Sequence, residues 1–534
     1  MQSLLVRERL SIQRVYLSSA TLTAADIALK PGYRAGVSAR PRAGRRTADR
    51  WILAALTALA LLIHGYHPYA EDGGIYVAGI KLRLNPALYP ASAEFIRPYL
   101  RLSVFSNWNA ALVRGLHLPL ETVLLLMQVG TTWWLLYGCL GLARRCFRKV
   151  EAQWGAVVLV MLCLTVPVAG SSLFLMDPYL TSRSISTPCS LLAIGACLDR
   201  RMLRAGMWMI VAAAFHPLMG IYGAGFVLLL WAVERRSWLK VVALAAGAFA
   251  LGAMVRWPQR GVVETANYKA AVLTRYYYFL TLWHWYEWVG LAAPLVLSLV
   301  YCRWKRWDLG RADALLAATS AVIGAVSVGV CVVFAEPGSG SHLISALQPI
   351  RPFLLIYYCM FLLLGGVLVE LWLKRVWWRW AVLGVAVGGT MVGFSRATYP
   401  ASAHVEWPGG AVRNDWVKAF LWVKVNTPMD AVVALDADYI QADGEDGQGF
   451  RAIAERSSLA DYSKDGGAAA AFPQVADAWM REHRALTGLS AASDAERRVR
   501  LREYGVGWVV LQRAAVTGFA CPYANGLVKV CEVR

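Results

Sequence analysis

Long apolar runs alternate with short basic clusters from about position 51 to position 400, and this alternation predicts a membrane protein with many spans. A helix needs about 20 apolar residues to cross a hydrocarbon core of about 30 Å. The pattern predicts roughly eleven spans, in the runs 51–66, 120–143, 154–175, 185–198, 205–232, 241–255, 289–301, 314–334, 347–373 and 381–394. The run 205–232 contains His216 and Pro217, and because proline interrupts a helix we expect two short helices that meet there.

The basic clusters predict the orientation of the chain. Cytoplasmic segments near spans carry an excess of Lys and Arg, so the clusters at 144–149, 199–204, 234–240 and 302–306 are expected inside the cell. Residues 1–50 hold ten Lys and Arg residues, and we expect them to form a disordered, cytoplasmic tail. The amino terminus is then inside and the carboxyl terminus outside. The abundance of Ala, Arg, Gly and Val fits a bacterial inner membrane.

Two regions outside the runs are long enough to carry structure of their own. Residues 67–118 form a large loop of mixed amphipathic sequence, which the orientation places on the external face of the transmembrane domain 51–398. Residues 399–534 hold no apolar run of spanning length, and seventeen of the 34 acidic residues fall within 401–534. Strand-like runs at 431–437, 506–512 and 527–533 alternate there with helical stretches at 475–489 and 491–504. We therefore predict a small external α/β domain.

Composition agrees with the membrane assignment and excludes one class of partner. Hydrophobic residues make up 58% of the chain and charged residues 16%, against about 45–50% and about 25% in soluble domains. The net charge is +20, but the basic residues lie at the ends of apolar runs. They do not form a basic and aromatic surface, so no nucleic-acid partner is expected.

The cysteines and the standard sequence motifs narrow the chemistry further. No cysteine pair has metal-site spacing, and the chain contains no GxxxxGK[ST], HExxH or CxxC motif. Cys521 and Cys531 both lie in the predicted external domain. A disulfide between them is consistent with an oxidising compartment.

The acidic pair Glu71–Asp72 directly follows the first run, in HPYAEDGGIY. Ionisable groups at a membrane boundary are costly to place and are functional candidates. A carboxylate there could act as a general base or bind a divalent cation. The alternative is a solvated helix cap, with Gly73–Gly74 as a turn.

Two further groups of polar residues are expected on the same face. Asp177 and Arg183 follow the third predicted run. Asp177 could orient an acceptor or complete a metal site, and the alternative is a turn, which Asp-Pro commonly begins. Arg183 could bind phosphate or pair with Asp177. His342, Gln348 and Arg351 lie at the start of a later run and are candidates for substrate binding. Guanidinium matches phosphate oxygens with two parallel hydrogen bonds, so Arg351 is placed to bind a lipid phosphate. The alternative is an arginine at the membrane interface whose charged end extends into water and binds no ligand.

Four polar residues of the predicted external domain are open to two interpretations. Arg451, Glu455, Arg456 and Lys464 could contact a polar acceptor, or they could form an ordinary salt-bridged surface.

The acidic motif after the first span, the long external loop, the second external carboxylate and the external domain together resemble the GT-C glycosyltransferase superfamily. The stretches AEDGGIYVAGIKLRLNPALYP and WVKVNTPMD, followed by GFR and ERS, are similar to a bacterial branch of that group. The resemblance implies a polytopic, GT-C-like helical fold and transfer of a sugar from a polyprenyl-phosphate donor to a glycan, lipid or protein acceptor. The chain lacks a WWDYG-like motif, which argues against an oligosaccharyltransferase.

The resemblance also implies roles for particular residues. It assigns the catalytic base to Asp72, with Glu71 as the alternate, and the second-loop carboxylate to Asp177. It places binding of the lipid phosphate on Arg351 by position alone. The superfamily has metal-dependent and metal-independent members, so a divalent cation (Mg or Mn) held by Asp72 and Asp177 is expected only in the metal-dependent case.

Two readings from other classes stay open. A transporter or lipid flippase could use the same cavity without chemistry, and the intramembrane His216 would suit a proton relay. A transporter needs neither the large loop nor the external domain, however. The other reading is a non-catalytic scaffold for assembly of the cell envelope.

Overall fold

The computed structural model describes residues 43–235 and 264–533. In these residues seven helices are long and apolar enough to cross a membrane: Thr47–His64, Leu120–Cys146, Pro217–Glu234, Trp285–Trp304, Ala312–Phe334, Phe353–Leu373 and Trp377–Thr398. Three shorter apolar helices accompany them: Val150–Leu162, Arg183–Leu198 and Met202–Phe215. Each predicted run overlaps at least one of these helices, except the run 241–255, which lies outside the described residues. The chain is a multi-pass membrane protein.

The first helix begins earlier than the sequence predicted. It covers Ala43–His64. The prediction of a disordered tail as far as residue 50 is therefore wrong for residues 43–50, which are helical. Asp49 lies in this part of the helix and forms an ion pair with Arg144 at the end of the helix Leu120–Cys146. Because Arg144 lies 95 positions further along the chain, the local hydrophobic pattern carries no information about this contact, and it placed the start of the first helix too late.

The predicted span 154–175 is wrong in its second half. The helix ends at Leu162, and residues 163–182 are irregular, with an isolated bridge between Pro167 and Phe174. Proline lacks the amide hydrogen that a helix requires, and Pro167 and Pro178 both lie in this segment. The chain therefore leaves helical geometry before Asp177.

The hinge predicted at His216–Pro217 is confirmed. The helix Met202–Phe215 ends before His216, and the next helix, Pro217–Glu234, begins after it. The His216 ring caps the second helix by accepting a hydrogen bond from the Met219 amide at 3.4 Å. This is a structural use of the ring, although it does not test a proton relay.

The first loop, residues 65–119, is mostly helical. Its helices are Asp72–Leu84, Arg97–Leu102 and Phe105–Leu116, with a short 3-10 turn at Ala93–Phe95. Shorter elements also occur between the later spans: the helices Ala266–Leu273 and Leu343–Leu347 and the 3-10 turns Tyr276–Tyr278 and Leu280–Leu282. The last two spans each contain a π turn, at Val369–Leu373 and at Gly384–Gly388.

The C-terminal domain is built on a five-stranded sheet. Its strands are β1 (Val432–Ala434), β2 (Ser457–Ser458), β3 (Trp508–Gln512), β4 (Tyr523–Ala524) and β5 (Val528–Glu532), in the order β2-β1-β3-β5-β4. Strand β1 is parallel to β2 and β3, whereas β5 is antiparallel to β3 and β4. All three predicted strand-like runs are strands, so that prediction is confirmed.

Helices cover the sheet of the C-terminal domain. They are Asp415–Asn426, Phe450–Ala454, Lys464–Ala471, Ala476–Leu486 and Asp494–Leu501, with 3-10 turns at Tyr439–Gln441, Pro473–Val475 and Arg502–Tyr504. Phe420 and Phe450 pack with Val510 and Val530 in one buried cluster. The predicted Cys521–Cys531 disulfide is present. It joins the end of β5 to the segment that precedes β4.

The C-terminal domain docks on the first loop through backbone contacts. The Glu71 amide donates to the Gly447 carbonyl at 2.7 Å, and the Gly449 amide donates to the Tyr69 carbonyl at 2.9 Å. A Cβ added to Gly74 would come within 2.9 Å of the Gly449 Cα, so both positions need glycine for this approach. The domain is thereby held against the start of the helix Asp72–Leu84.

Candidate functional site

Asp72 begins a helix at the point where the first loop meets the C-terminal domain. Glu71 precedes it in a left-handed backbone conformation, with φ of 51° and ψ of −129°. Such a conformation is costly for a residue with a side chain and is often found at functional sites. The hydrogen bond from the Glu71 amide to Gly447 helps to hold it. The interpretation of Gly73–Gly74 as a turn is wrong, because both lie in the first turn of the helix.

One arginine joins the two predicted acidic positions. The Arg183 Nη1 and Nη2 atoms each lie 3.3 Å from Asp72 Oδ2. Its Nη2 and Nε atoms lie 2.9 Å and 3.2 Å from Asp177 Oδ2. Thr181 also donates to that oxygen, at 3.1 Å. Asp72, Asp177 and Arg183 therefore form a single cluster, although 111 positions separate Asp72 from Arg183.

Burial differs between the two carboxylates of this cluster. The side chain of Asp177 is 5% exposed and that of Arg183 is 9% exposed, whereas the side chain of Asp72 is 37% exposed. Asp177 is therefore the buried ion-pair partner of Arg183, and Asp72 is the more exposed carboxylate of the cluster.

A lysine of the C-terminal domain completes the cluster. Lys464 forms an ion pair with Glu71, and its Nζ atom lies 3.5 Å from Asp72 Oδ1. No pattern in the sequence distinguishes Lys464 from the other three polar candidates of this domain, Arg451, Glu455 and Arg456. Only the docking of the domain brings it to the acidic motif.

The segment that carries Lys464 is fixed by its own hydrogen bonds. The Lys464 amide donates to Asp461 Oδ1 at 2.5 Å, and the Asp461 amide donates to Asp465 Oδ2 at 2.9 Å. Arg451 binds both oxygens of Asp465, at 2.7 Å and 2.9 Å. Two hydrogen bonds between a guanidinium and a carboxylate fix the relative orientation of the two groups as well as their distance. The segment that carries Lys464 is therefore held in a defined position.

The other two polar candidates of this domain make structural contacts. Glu455 accepts hydrogen bonds from Lys81 and Lys424, each at 2.7 Å. Arg456 donates to the carbonyl of Thr427 at 2.8 Å.

The cluster shifts the pKa values of its members in opposite directions. Burial by itself would raise the pKa of Asp72, but the positive charges of Lys464, Arg183 and Arg351 hold it below its usual range. Burial raises the pKa of Asp177, and the partial compensation by Arg183 does not reverse this. Asp72 is therefore anionic at neutral pH, as a hydrogen-bond acceptor at a reacting centre must be.

Arg351 lies in the same electrostatic environment but has a different kind of partner. Its Nε atom donates to Gln348 Oε1 at 2.6 Å, and Gln348 Nε2 donates to the Tyr278 hydroxyl at 3.2 Å. Among the described residues its buried Nη1 atom has no hydrogen-bond partner. Burial and the nearby Arg183 lower its pKa. A buried cation with an unfilled donor is a candidate anion-binding group.

His342 is placed differently from the other substrate-binding candidates. Its side chain is wholly buried, with Nδ1 2.6 Å from Glu264 Oε2 and Nε2 3.1 Å from the Pro337 carbonyl. Both ring nitrogens are therefore occupied in this arrangement. The contacts fix the loop before Gln348 and leave no ring nitrogen free for a substrate.

A small cavity opens beside Lys464, between the first loop and the C-terminal domain. It has room of about 40 Å³ for water-sized groups and is lined by both apolar and charged side chains, among them Glu71, Tyr99, Phe450, Arg451 and Asp461. Such a mixture of ring faces and hydrogen-bonding groups suits a small polar group of a ligand.

The side chains at the acidic positions do not fit a divalent cation as they are arranged. Mg²⁺ binds oxygen ligands at about 2.0–2.1 Å, and the facing oxygens of Asp72 and Asp177 are already occupied by Arg183. Among the residues that the structure describes, no group of three His, Cys, Asp or Glu side chains is placed to hold a metal ion.

Comparison with known proteins gives structural matches only. No family model matches the chain, and no curated protein matches it. The archaeal oligosaccharyltransferase AglB from Archaeoglobus fulgidus, in complex with an inhibitory peptide and a dolichol-phosphate, is similar over 88% of this chain and 70% of its own, with 11% identity and a TM-score of 0.46. The same organism's oligosaccharyltransferase in the apo form matches with the same coverage and identity and a TM-score of 0.42. At these scores the similarity carries no argument about activity.

Proposed function

We propose that the chain is a membrane glycosyltransferase that moves a sugar from a polyprenyl-phosphate donor to an envelope acceptor on the external face. One observation carries the proposal: Asp72 is an exposed, anionic carboxylate that pairs with Arg183, and the charge of Arg351, an arginine with an unfilled donor, acts on both. Asp72 would meet the acceptor, and Arg351 would meet the phosphate of the donor.

The reaction is a single displacement. The acceptor hydroxyl oxygen attacks the anomeric carbon, and the bond from that carbon to the phosphate oxygen breaks. The electron pair leaves with polyprenyl phosphate, whose negative charge is stabilised by Arg351. The attacking hydroxyl becomes more acidic as its new bond forms, and its proton then passes to Asp72. The anomeric configuration is inverted.

Asp177 and Gln348 act through their neighbours in this proposal. Asp177 fixes Arg183, which in turn orients Asp72. Gln348 fixes the guanidinium of Arg351 through its Nε atom. Glu71 is the alternate base, and its ion pair with Lys464 has to open before it could take a proton.

The test measures release of polyprenyl phosphate from a panel of polyprenyl-phosphate sugars, with cell-envelope extract as the source of acceptors. Loss of a general base costs about 10²–10⁴ in rate, so Asp72→Asn is expected to abolish release, and Arg351→Gln to reduce it strongly. Asp415→Asn is the matched control, because Asp415 is a carboxylate of the C-terminal domain that pairs with Lys418.

Each alternative predicts a different result. Equal release from wild type and Asp72→Asn would remove Asp72 as the base. No release with any donor, from protein shown to be folded, would contradict the proposal and favour the transporter or flippase. Envelope defects that follow removal of the C-terminal domain but not Asp72→Asn would favour the scaffold.

A further inference from the structure

The acidic cluster already contains as many fixed cations as carboxylates. Glu71, Asp72 and Asp177 supply the negative charges, and Arg183 and Lys464 contact them directly. Arg351 is the third cation, and its charge is felt at both Asp72 and Arg183. A divalent cation would therefore enter a cluster whose charge is balanced, so it would gain little from the carboxylates.

The occupied oxygens give a second, geometric argument. Arg183 faces Asp72 Oδ2 and Lys464 faces Asp72 Oδ1. Asp177 Oδ2 accepts from Arg183 and from Thr181. To bind a cation through these oxygens, the carboxylates would first have to lose Arg183, which is 9% exposed and forms its ion pairs with these same two residues.

We propose that Arg183 and Lys464 together take the place of a divalent cation at this site, and that Lys464 is a positioning residue supplied by the C-terminal domain. The catalytic half of this inference rests on the proposed glycosyltransferase function. The half that concerns cation binding does not, because it follows from the occupied carboxylates alone.

Lys464 also links docking of the C-terminal domain to assembly of the site. Its segment is held by the Arg451–Asp465 pair, and the domain is held against Tyr69 and Glu71 by the backbone contacts of Gly447 and Gly449. Correct docking therefore places a positive charge at Asp72, and a displaced domain removes it.

The first experiment measures binding of Mn²⁺ by electron paramagnetic resonance, with the purified full-length protein after treatment with a chelator. We expect wild type to bind no stoichiometric Mn²⁺ at concentrations up to about 1 mM. A site with a Kd of about 1 mM would have a binding free energy of about −4 kcal/mol, so any binding to wild type is expected to be weaker than that. Polyprenyl phosphate release is expected to change less than about twofold when EDTA is added. Stoichiometric Mn²⁺ binding that disappears in Asp72→Asn would overturn the proposal, as would release that EDTA abolishes and Mn²⁺ restores.

The second experiment tests Lys464 itself. Lys464→Gln frees Glu71 and one oxygen of Asp72, so Mn²⁺ should bind this variant with a Kd of about 0.1 mM or lower, at least about tenfold below the limit expected for wild type, and release should fall at least about tenfold. Lys464→Arg keeps the charge and is expected to restore both values toward wild type. Lys424→Gln is the matched control, because it removes a lysine of the same domain that pairs with Glu455.

The outcomes separate this inference from the proposed function. If no variant releases polyprenyl phosphate, the glycosyltransferase proposal fails, while the Mn²⁺ measurements still decide which groups occupy the carboxylates. If Lys464→Gln leaves both Mn²⁺ binding and release unchanged, the role of Lys464 is wrong. If Lys464→Gln does not fold, the wild-type measurements with Mn²⁺ and EDTA remain decisive.

Discussion

Two arginine–aspartate clusters of this protein can be compared, one at the first turn of the helix Ala312–Phe334 and one at the start of the first loop. Asp313, in the first turn of that helix, is 2% exposed. It accepts from Arg311 at 3.1 Å and 2.7 Å and from the Tyr301 hydroxyl at 2.8 Å. The second cluster consists of Asp72, Asp177 and Arg183.

The two clusters differ in how completely their charges are satisfied. Both oxygens of Asp313 have donors, and Arg311 is 49% exposed to solvent. Arg183, in contrast, is buried and shared between two carboxylates, and Asp72 remains 37% exposed. A saturated pair stabilises a helix end, whereas a shared and partly open pair has capacity left for a ligand. This difference distinguishes a structural cluster from a candidate site.

The largest effect is expected for Arg183→Gln. It leaves Asp177 buried without its cation, and breaking a buried pair costs about 3–5 kcal/mol. The free energy of unfolding should fall by about that amount, and release should be lost. Chemical unfolding of the purified protein measures the first and the release assay the second. Adding Asp177→Asn should recover part of the stability but none of the activity; recovery of both would contradict the comparison.

Removal of the disulfide separates loss of stability from loss of the site. Cys521 and Cys531 enclose a short loop, and closing a loop of about ten residues contributes about 2–3 kcal/mol. Cys521→Ser combined with Cys531→Ser should therefore lower the thermal midpoint while release changes less than about twofold. A proportionate loss of release would show that the domain fold and the site cannot be separated by this variant.

Arg311→Gln tests the saturated cluster. The Tyr301 hydroxyl still serves Asp313, and the lost arginine was half exposed, so we expect a loss of only about 1–2 kcal/mol. Release should stay within about twofold of wild type. If this variant loses release as completely as Arg183→Gln at equal stability, saturation does not distinguish the two clusters.

A pH-dependent effect on stability is expected for a buried carboxylate outside both clusters. Glu482 accepts a hydrogen bond from the Ala460 amide at 2.7 Å, and burial raises its pKa from 4.5 to about 7. Because the folded state holds the proton of Glu482 more tightly than the unfolded state does, the contribution of this group to stability is complete below about pH 4.5 and is lost as pH rises through about 7. The slope is about 1 kcal/mol per pH unit between about pH 5 and 7.

Melting curves of the full chain at several pH values measure this slope. Glu482→Gln keeps an acceptor for the Ala460 amide and removes the titration, so its curve should be flatter than that of wild type by about that slope. Asp461, whose pKa burial also raises to about 7, contributes to the slope that remains. Parallel curves for the two proteins would contradict the assignment to Glu482.

The sequence predicted most of the site residues but not their arrangement. Asp72, Asp177, Arg183 and Arg351 were all singled out because charged groups beside apolar runs are costly and therefore informative. Lys464 was left open between contact with an acceptor and an ordinary salt-bridged surface, since it lies in a polar domain where lysine is common. His342 stood out for the same reason as Arg351, yet the structure places its ring in a closed network with Glu264.

Hydrophobic pattern and basic clusters determined the spans, the large first loop and a separate C-terminal domain, because these follow from local periodicity and the thickness of a membrane. The end of the third span at Leu162 and the start of the first at Ala43 depended on prolines and on the distant Arg144. Only the tertiary structure decided that one arginine would serve two carboxylates and that a lysine from the last domain would reach the first loop. Those contacts join residues up to 393 positions apart, and no local pattern carries information over that distance.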